Sequence, residues 1–279
     1  MGKSIKYILL LSILFSFSKT NLAAQATTDR FKPKIKSIKE VIYRVKNGKF
    51  KNRDTLFASN LNTHTIYNEK EEPIEFIEFY TDGSPFKKTT FERNKKGDIQ
   101  KTVVKKTSGE LISYCTHEYD AHGNMTAVKS YDAKHNLIEI QSNKYDKNGN
   151  NTEKIFRKPN STIERKYVYE YNSDNKIIKA FRYKPDGSLK DTSISTYDKN
   201  GNENTCIKFN PDGNFIKKEF KYDTLNNLIL ENAYDTHNTL RRQTLFERVY
   251  DDYGNWITNK RSTQGTFNIV CERQIEYFE

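Results

Sequence analysis

The chain has 279 residues, 35% of them apolar and 30% charged, and carries a net charge of +11. Such a mixture excludes a thick globular core and favours a thin, repetitive sheet in which 18 Tyr and 17 Phe supply much of the burial. Three cysteines, Cys115, Cys206 and Cys271, match no zinc or redox spacing; they permit one disulfide and a free thiol and require neither.

Residues 1–26 open with Lys3 and Lys6, pass through the apolar run YILLLSILF, and end in AAQA. A basic start, a short apolar core and a small-x-small tripeptide are the layout of a secretory signal peptide. The apolar run is shorter than the roughly 20 residues that span a bilayer. Cleavage after Ala26 leaves 27–279 as a single domain without a transmembrane segment. It also removes three lysines, taking +11 to +8. The expected location is the periplasm, the cell surface or the medium.

The first element of the mature chain, IKEVIYRVKNGKFKNRDTLF, reads as a hairpin around Asn47-Gly48. From there an aromatic residue opening a polar turn recurs. Tyr119, Tyr145, Tyr171 and Tyr197 are spaced by 26, followed by Tyr222 and Tyr250. A second series, Tyr131, Phe156, Tyr183, Phe209 and Tyr234, interleaves with the first. The unit is therefore about 26 residues with two turns, clearest over residues 67–260. Each glycine after the leader falls where a turn is expected, because glycine reaches positive φ at little cost. The stretches between turns lack Gly and Pro and are rich in Tyr, Phe, Ile, Val and Thr, which predicts strands. KYVYEYN alternates cleanly and places Tyr167, Tyr169 and Tyr171 on one face. The end is in pattern too, with VYDDYGNWITNK, a turn near Gly265 and a last strand IVCERQIEYFE. Residues 250–279, including Trp256, read as a C-terminal cap.

These signals predict an all-β antiparallel meander of about sixteen strands. Open sheets of that size curl or coil, so the expected form is a long twisted, curved or solenoid-like sheet, with a compact sandwich as the alternative.

The aromatic-Asp-x-x-Gly-Asn turns resemble the YD repeats of bacterial Rhs and wall-associated proteins. The likeness covers about residues 67–279 and is strongest from Tyr119 to Tyr253. The turn from Tyr183 to Leu189 also resembles the MORN-like hairpins of certain antitoxin-type repeat proteins. The resemblance implies an extended β-hairpin array and a secreted or cell-envelope role, and transfers no activity. The chain is far too short for the closed shell that large Rhs proteins build, and drifts from their pattern at YNSDNKI and YDTLNNL.

YDKNGN occurs twice, at Tyr145–Asn150 and Tyr197–Asn202. It lacks the glycine at position six and the acid at position twelve of a calcium loop of the helix–loop–helix type. Tyr119, Asp120, Gly123, Tyr145, Asp146, Gly149, Tyr197, Asp198, Gly201, Tyr250, Asp251 and Gly254 are therefore structural turn residues. In CTHEYDAH, Cys115 and His117 share a strand face beside His122, and a fourth zinc ligand is missing. His64, His135 and His237 are isolated, the last two in turns where glycine sits elsewhere. No nucleophile elbow and no phosphate loop is present, so no catalytic residue, metal or cofactor is expected.

The expectation is an exported, non-catalytic repeat protein that offers a binding or assembly surface. Its basic balance favours acidic partners, a protein or an acidic polysaccharide, and export makes nucleic acid the poorer expectation. The alternatives are an immunity or antitoxin-like protein that binds a toxin, and an envelope polysaccharide hydrolase.

Overall fold

The computed structural model describes residues 32–46, 49–50, 62–80, 82–264 and 266–279. The leader and the turn glycines Gly48 and Gly265 lie outside the described residues. All regular structure among the described residues is β. The first strands are β1 (Ile35–Lys46), β2 (Lys49–Phe50), β3 (Asn62–Tyr67), β4 (Pro73–Phe79), β5 (Pro85–Arg93) and β6 (Ile99–Lys106). Then come β7 (Leu111–Tyr119), β8 (Met125–Asp132), β9 (Leu137–Tyr145), β10 (Asn151–Arg157), β11 (Ile163–Tyr171) and β12 (Ile177–Tyr183). The series ends with β13 (Leu189–Tyr197), β14 (Glu203–Phe209), β15 (Phe215–Tyr222), β16 (Leu228–Tyr234), β17 (Leu240–Tyr250), β18 (Trp256–Thr263) and β19 (Thr266–Tyr277).

From β3 to β19 every strand pairs antiparallel with the next, the meander that the turn spacing predicts. The open, solenoid-like sheet is overturned by β1. One edge of this twelve-residue strand pairs with β19 from Ile35↔Tyr277 to Arg44↔Ile269, and the other pairs with β3 from Ser37↔Ile66 to Glu40↔Thr63. Leaving aside β2, which pairs with the end of β1 alone, eighteen strands close into a barrel. Closure removes both free edges, the liability that an open sheet must otherwise manage. The last strand is thus a seam, joined to β1 on one side and β18 on the other.

The turns that an aspartate opens are built alike. At Asp120 the backbone N–H donates to the Asn124 carbonyl at 2.9 Å and the Gly123 N–H donates back to the Asp120 carbonyl at 3.1 Å. The Asp120 carboxylate accepts from the N–H groups of His122 and Asn124 and from the Asn124 side-chain amide, all at 2.9 Å. Asp146 and Asp198 repeat this arrangement. The fourth turn position lies in the left-handed region, as at Gly149 (φ 80°), where an L side chain is strained. Where the repeat drifts, Asn175 (φ 58°) and Asn226 (φ 63°) hold that position, consistent with the tolerance of asparagine for it.

The opening tyrosines tie neighbouring turns of one rim together. Tyr119, Tyr145, Tyr171 and Tyr197 donate their hydroxyls to the carbonyls of Ile99, Met125, Asn151 and Ile177, at 2.7–2.9 Å. Each acceptor begins a strand twenty residues earlier. The 26-residue period is thus the repeat of a rim lattice, and Tyr222 continues it onto Glu203.

Register sorts the side chains into two walls. One holds Glu78, Thr89, Thr102, Asn143, Asp191 and Thr244, six of the eight buried polar residues among the described ones. Nine of the fifteen buried residues among the described ones stand on this wall, and side chains crowd on the concave side of a closed ring, so we take it as the inner wall. A barrel of 16–18 strands is wide enough for an aqueous lumen. The buried apolar residues, among them Val103, Val104, Ile155, Phe156 and Val270, are scattered around the ring and collect in no central core.

Candidate functional site in the barrel lumen

Cross-strand partners share a face and stand about 4.8 Å apart. On the inner wall the partners Asn143, Lys154, Tyr167, Arg182 and Asp191 form one continuous row over β9 to β13. Beside it runs the row Gln141, Phe156 and Arg165, and on its other side the row Tyr169, Ala180 and Ser193.

Asp191 is 4% exposed and accepts from Nε of Arg182 at 2.8 Å, while Nζ of Lys208 lies 3.4 Å away. Burial pushes the Asp191 carboxyl up, but the hydrogen bonds and charge of Arg182, with Lys208, outweigh it and hold the group below the ordinary carboxylate value. The same contact raises Arg182. Arg165 pairs with Glu139 and lays its guanidinium over the Phe156 ring, 4.1 Å from the centroid. Burial pushes Glu139 up, and Arg165 offsets it only in part.

Lys154 differs from these. No hydrogen bond or ion pair engages its ammonium among the described residues, and burial alone pushes its pKa down. Its row neighbour Tyr167 meets Phe156 edge-on at 6.0 Å. Burial is also the main reason why Tyr169 is pushed up to about 12. At the strand ends a cavity of about 300 Å³ opens beside Arg165, Tyr167, Arg182, Lys184 and Lys190, with Glu164 its one acid.

The charge excess continues around the lumen. Glu231 takes both Lys218 (3.2 Å) and Arg242 (2.9 Å), Glu78 takes Lys87, and Glu40 takes Arg273. The outer wall balances itself across strands. Lys129 meets Glu118 at 2.6 Å, Lys179 meets Glu170 at 3.3 Å, and Glu153 sits between Lys144 and Lys166 at 2.7 and 2.8 Å.

The residues singled out from the sequence occupy other places. Tyr119, Tyr145 and Tyr197, with Asp120, Asp146, Asp198 and Gly123, Gly149, Gly201, are rim turns, as are Asp251 and Gly254. Tyr250 ends β17 and is 36% exposed, and the strut it would make to Leu228 comes from Arg248 instead, at 3.1 Å. Cys115 and His117 do share the inner wall. Cys115 meets the Ser130 hydroxyl at 3.4 Å, His117 meets Thr102 at 3.1 Å, and His122 stays on its turn. The three thiols are free, and burial pushes each of them up. Of the two turn histidines, His135 takes the positive-φ position, whereas beside His237 it is Asn238 that does. The Trp256 ring lies under the Arg273 guanidinium, 3.4 Å from its centroid, beside the seam. Among the described residues no three His, Cys, Asp or Glu side chains could hold a metal. The alternation of KYVYEYN reveals the tyrosine stripe of the site, but nothing in NTEKIFR distinguishes Lys154.

No protein-family model matches the chain, and no curated protein matches it. Among solved structures it is similar to a porin-like protein from Bacteroides uniformis at 9% identity and a TM-score of 0.44, over 87% of this chain and 96% of that one. A porin-like protein from Bacteroides vulgatus matches at 8% identity and 0.34, over 88% and 99%. The TcdB2-TccC3 structure matches at 11% identity and 0.25, over 72% of this chain and 14% of that one. These likenesses are distant.

Proposed function

We propose that this is an exported, non-catalytic binding barrel whose basic lumen accepts an acidic polysaccharide. The observation that carries the reading is the cation excess of the inner wall. Glu40, Glu78, Glu139, Asp191 and Glu231 are all engaged by cations, two of them by a pair, and Lys154 remains free among the described residues. A wall with an excess of one charge sign around an enclosed space concentrates ligands of the other sign.

The leader supports export. The outer wall argues against burial in lipid, since a membrane barrel needs an apolar band about 25 Å tall. Here charged pairs such as Lys129–Glu118 and Lys144–Glu153–Lys166 stand on that wall. We therefore read the barrel as standing in water at the envelope or outside the cell.

The test is titration of the mature protein with polygalacturonate and with a neutral glucan at two salt concentrations. Binding of the polyanion alone, weakened several-fold by salt, is the expected result. Replacing Lys208 and Lys218 by Gln leaves Asp191 and Glu231 each with an arginine, and should weaken binding. Replacing Lys88 and Lys179 on the outer wall should leave it unchanged. Equal effects of the two double variants, or binding of the neutral glucan, would overturn the reading.

A further inference from the structure

Resting on that reading, we infer that Lys154, Tyr167 and Arg182, with the notch at Ala180, form a subsite for one uronic acid residue of a linear polysaccharide. The three side chains are consecutive cross-strand partners on the inner wall. Lys154 and Arg182 therefore stand two strand spacings apart, roughly 10 Å, with the Tyr167 ring between them. That separation fits one pyranose ring lying over the tyrosine. Ala180 precedes Arg182 by two residues on the same face and pairs with Tyr169 on one side and Ser193 on the other. Ala180 is the smallest side chain between Tyr167, Tyr169 and Arg182 on this wall, and the inferred seat for the ring is the step that its methyl group leaves.

The chemistry of the three groups differs in a useful way. Arg182 is already committed to Asp191, which fixes its guanidinium in place and leaves it one edge of a shared, net-positive cluster with Lys208. Among the described residues Lys154 has no acid and no acceptor, although it is half-buried beside Tyr167. A partly desolvated ammonium without a partner is costly, and a carboxylate delivered by a ligand supplies the missing acceptor with a charge-assisted hydrogen bond. The phenols of Tyr167 and Tyr169 flank the same spot on the same strand and can serve ring hydroxyls. One free ammonium, an aromatic platform and neighbouring hydroxyls match a sugar with a single carboxylate.

The experiment is calorimetric titration of the mature protein with a galacturonic acid hexamer and with its neutral methyl ester. The acid should bind and the ester should not. Lys154→Met should weaken the acid about tenfold or more, the range expected for losing one charge-assisted hydrogen bond. Ala180→Leu changes no charge and should weaken it comparably by filling the notch. Melting followed by circular dichroism confirms that each variant is folded. Unchanged affinity in either folded variant would overturn the subsite, as would a sulfated neutral-backbone hexamer that binds as well as the uronate. If polygalacturonate still responds to the Lys208 and Lys218 replacements in that case, the basic lumen stands without this subsite. If neither the hexamer nor the polymer binds, both fall.

Discussion

Glu153 and Lys154 are adjacent on β10 and meet opposite fates. Glu153 points outward and is held by two lysines, one from each neighbouring strand, and these hydrogen bonds pull its carboxyl below the ordinary value. Lys154 points inward, where its cross-strand neighbours are Asn143 and Tyr167 and no acid reaches it. One wall completes its own electrostatics, whereas the other keeps a cation in reserve. An ammonium left half-buried and unpaired among the described residues adds nothing to stability, so on the proposed reading the contrast sets the scaffold against the binding surface.

Removing the acid that does serve the inner row should have the largest effect on stability. Asp191→Ala leaves Arg182 and Lys208 facing each other without a counter-charge. The expected cost is about 2 kcal/mol, below the 3–5 kcal/mol of a fully buried pair because both cations retain some water. The sign with pH follows from the lowered carboxyl of Asp191. Its stabilisation is complete above the ordinary value of 3.8 and disappears as pH falls through the lowered folded value. Urea unfolding at pH 7 and at successively lower pH should show the two proteins converging in acid. Parallel curves at every pH would mean that Asp191 acts through packing alone.

Lys154→Met should move stability the other way, by roughly 1 kcal/mol of gain, because the burial penalty of the ammonium disappears. Its pKa is lowered in the fold, so the penalty is present in full below the folded value and fades as pH rises through it. Above the unfolded value near 10.5 the lysine is neutral in both states. Wild type should therefore approach the methionine variant in stability as pH rises through that alkaline window. A variant less stable than wild type at neutral pH would show that Lys154 has a structural partner, and would remove the reserve cation from the comparison.

The meander was legible because its determinants are local. Asp120, Asn124 and Gly123 close their turn within five residues, and the same grammar survives at Asn175 with asparagine in place of glycine. The tyrosine period was legible for the same reason, although the hydroxyl contact to a carbonyl twenty residues earlier was not. Closure was hidden because it depends on Ile38 meeting Ile275, and no local pattern encodes a pairing between the first strand and the last. The consecutive apolar residues of IKEVIYRV and of IVCERQIEYF fit poorly with exposed edges, which charge or proline commonly guards. The lumen row was hidden too. Its members lie on five strands, and only the barrel brings Lys154 beside Tyr167 and Tyr167 beside Arg182.

The smallest expected effect tests the outer half of the contrast. Glu153→Gln keeps the shape of the side chain and can still accept from Lys144 or Lys166, but removes the charge between them. The lysines are unequal: Lys144 is 74% exposed and Lys166 34% exposed, while Glu153 is only 15% exposed. An exposed ion pair is worth between zero and 1 kcal/mol. Most of the loss should therefore come from the Lys166 side, and the total should be about 0.5 kcal/mol at low salt, shrinking as salt screens it. Ligand binding in the lumen should not change, because the carboxylate lies on the far side of the strand. A double-mutant cycle with Lys166→Met separates the two pairs. Coupling near zero for Lys166, together with a shift in hexamer affinity, would show that the two walls communicate through β10 and are not independent.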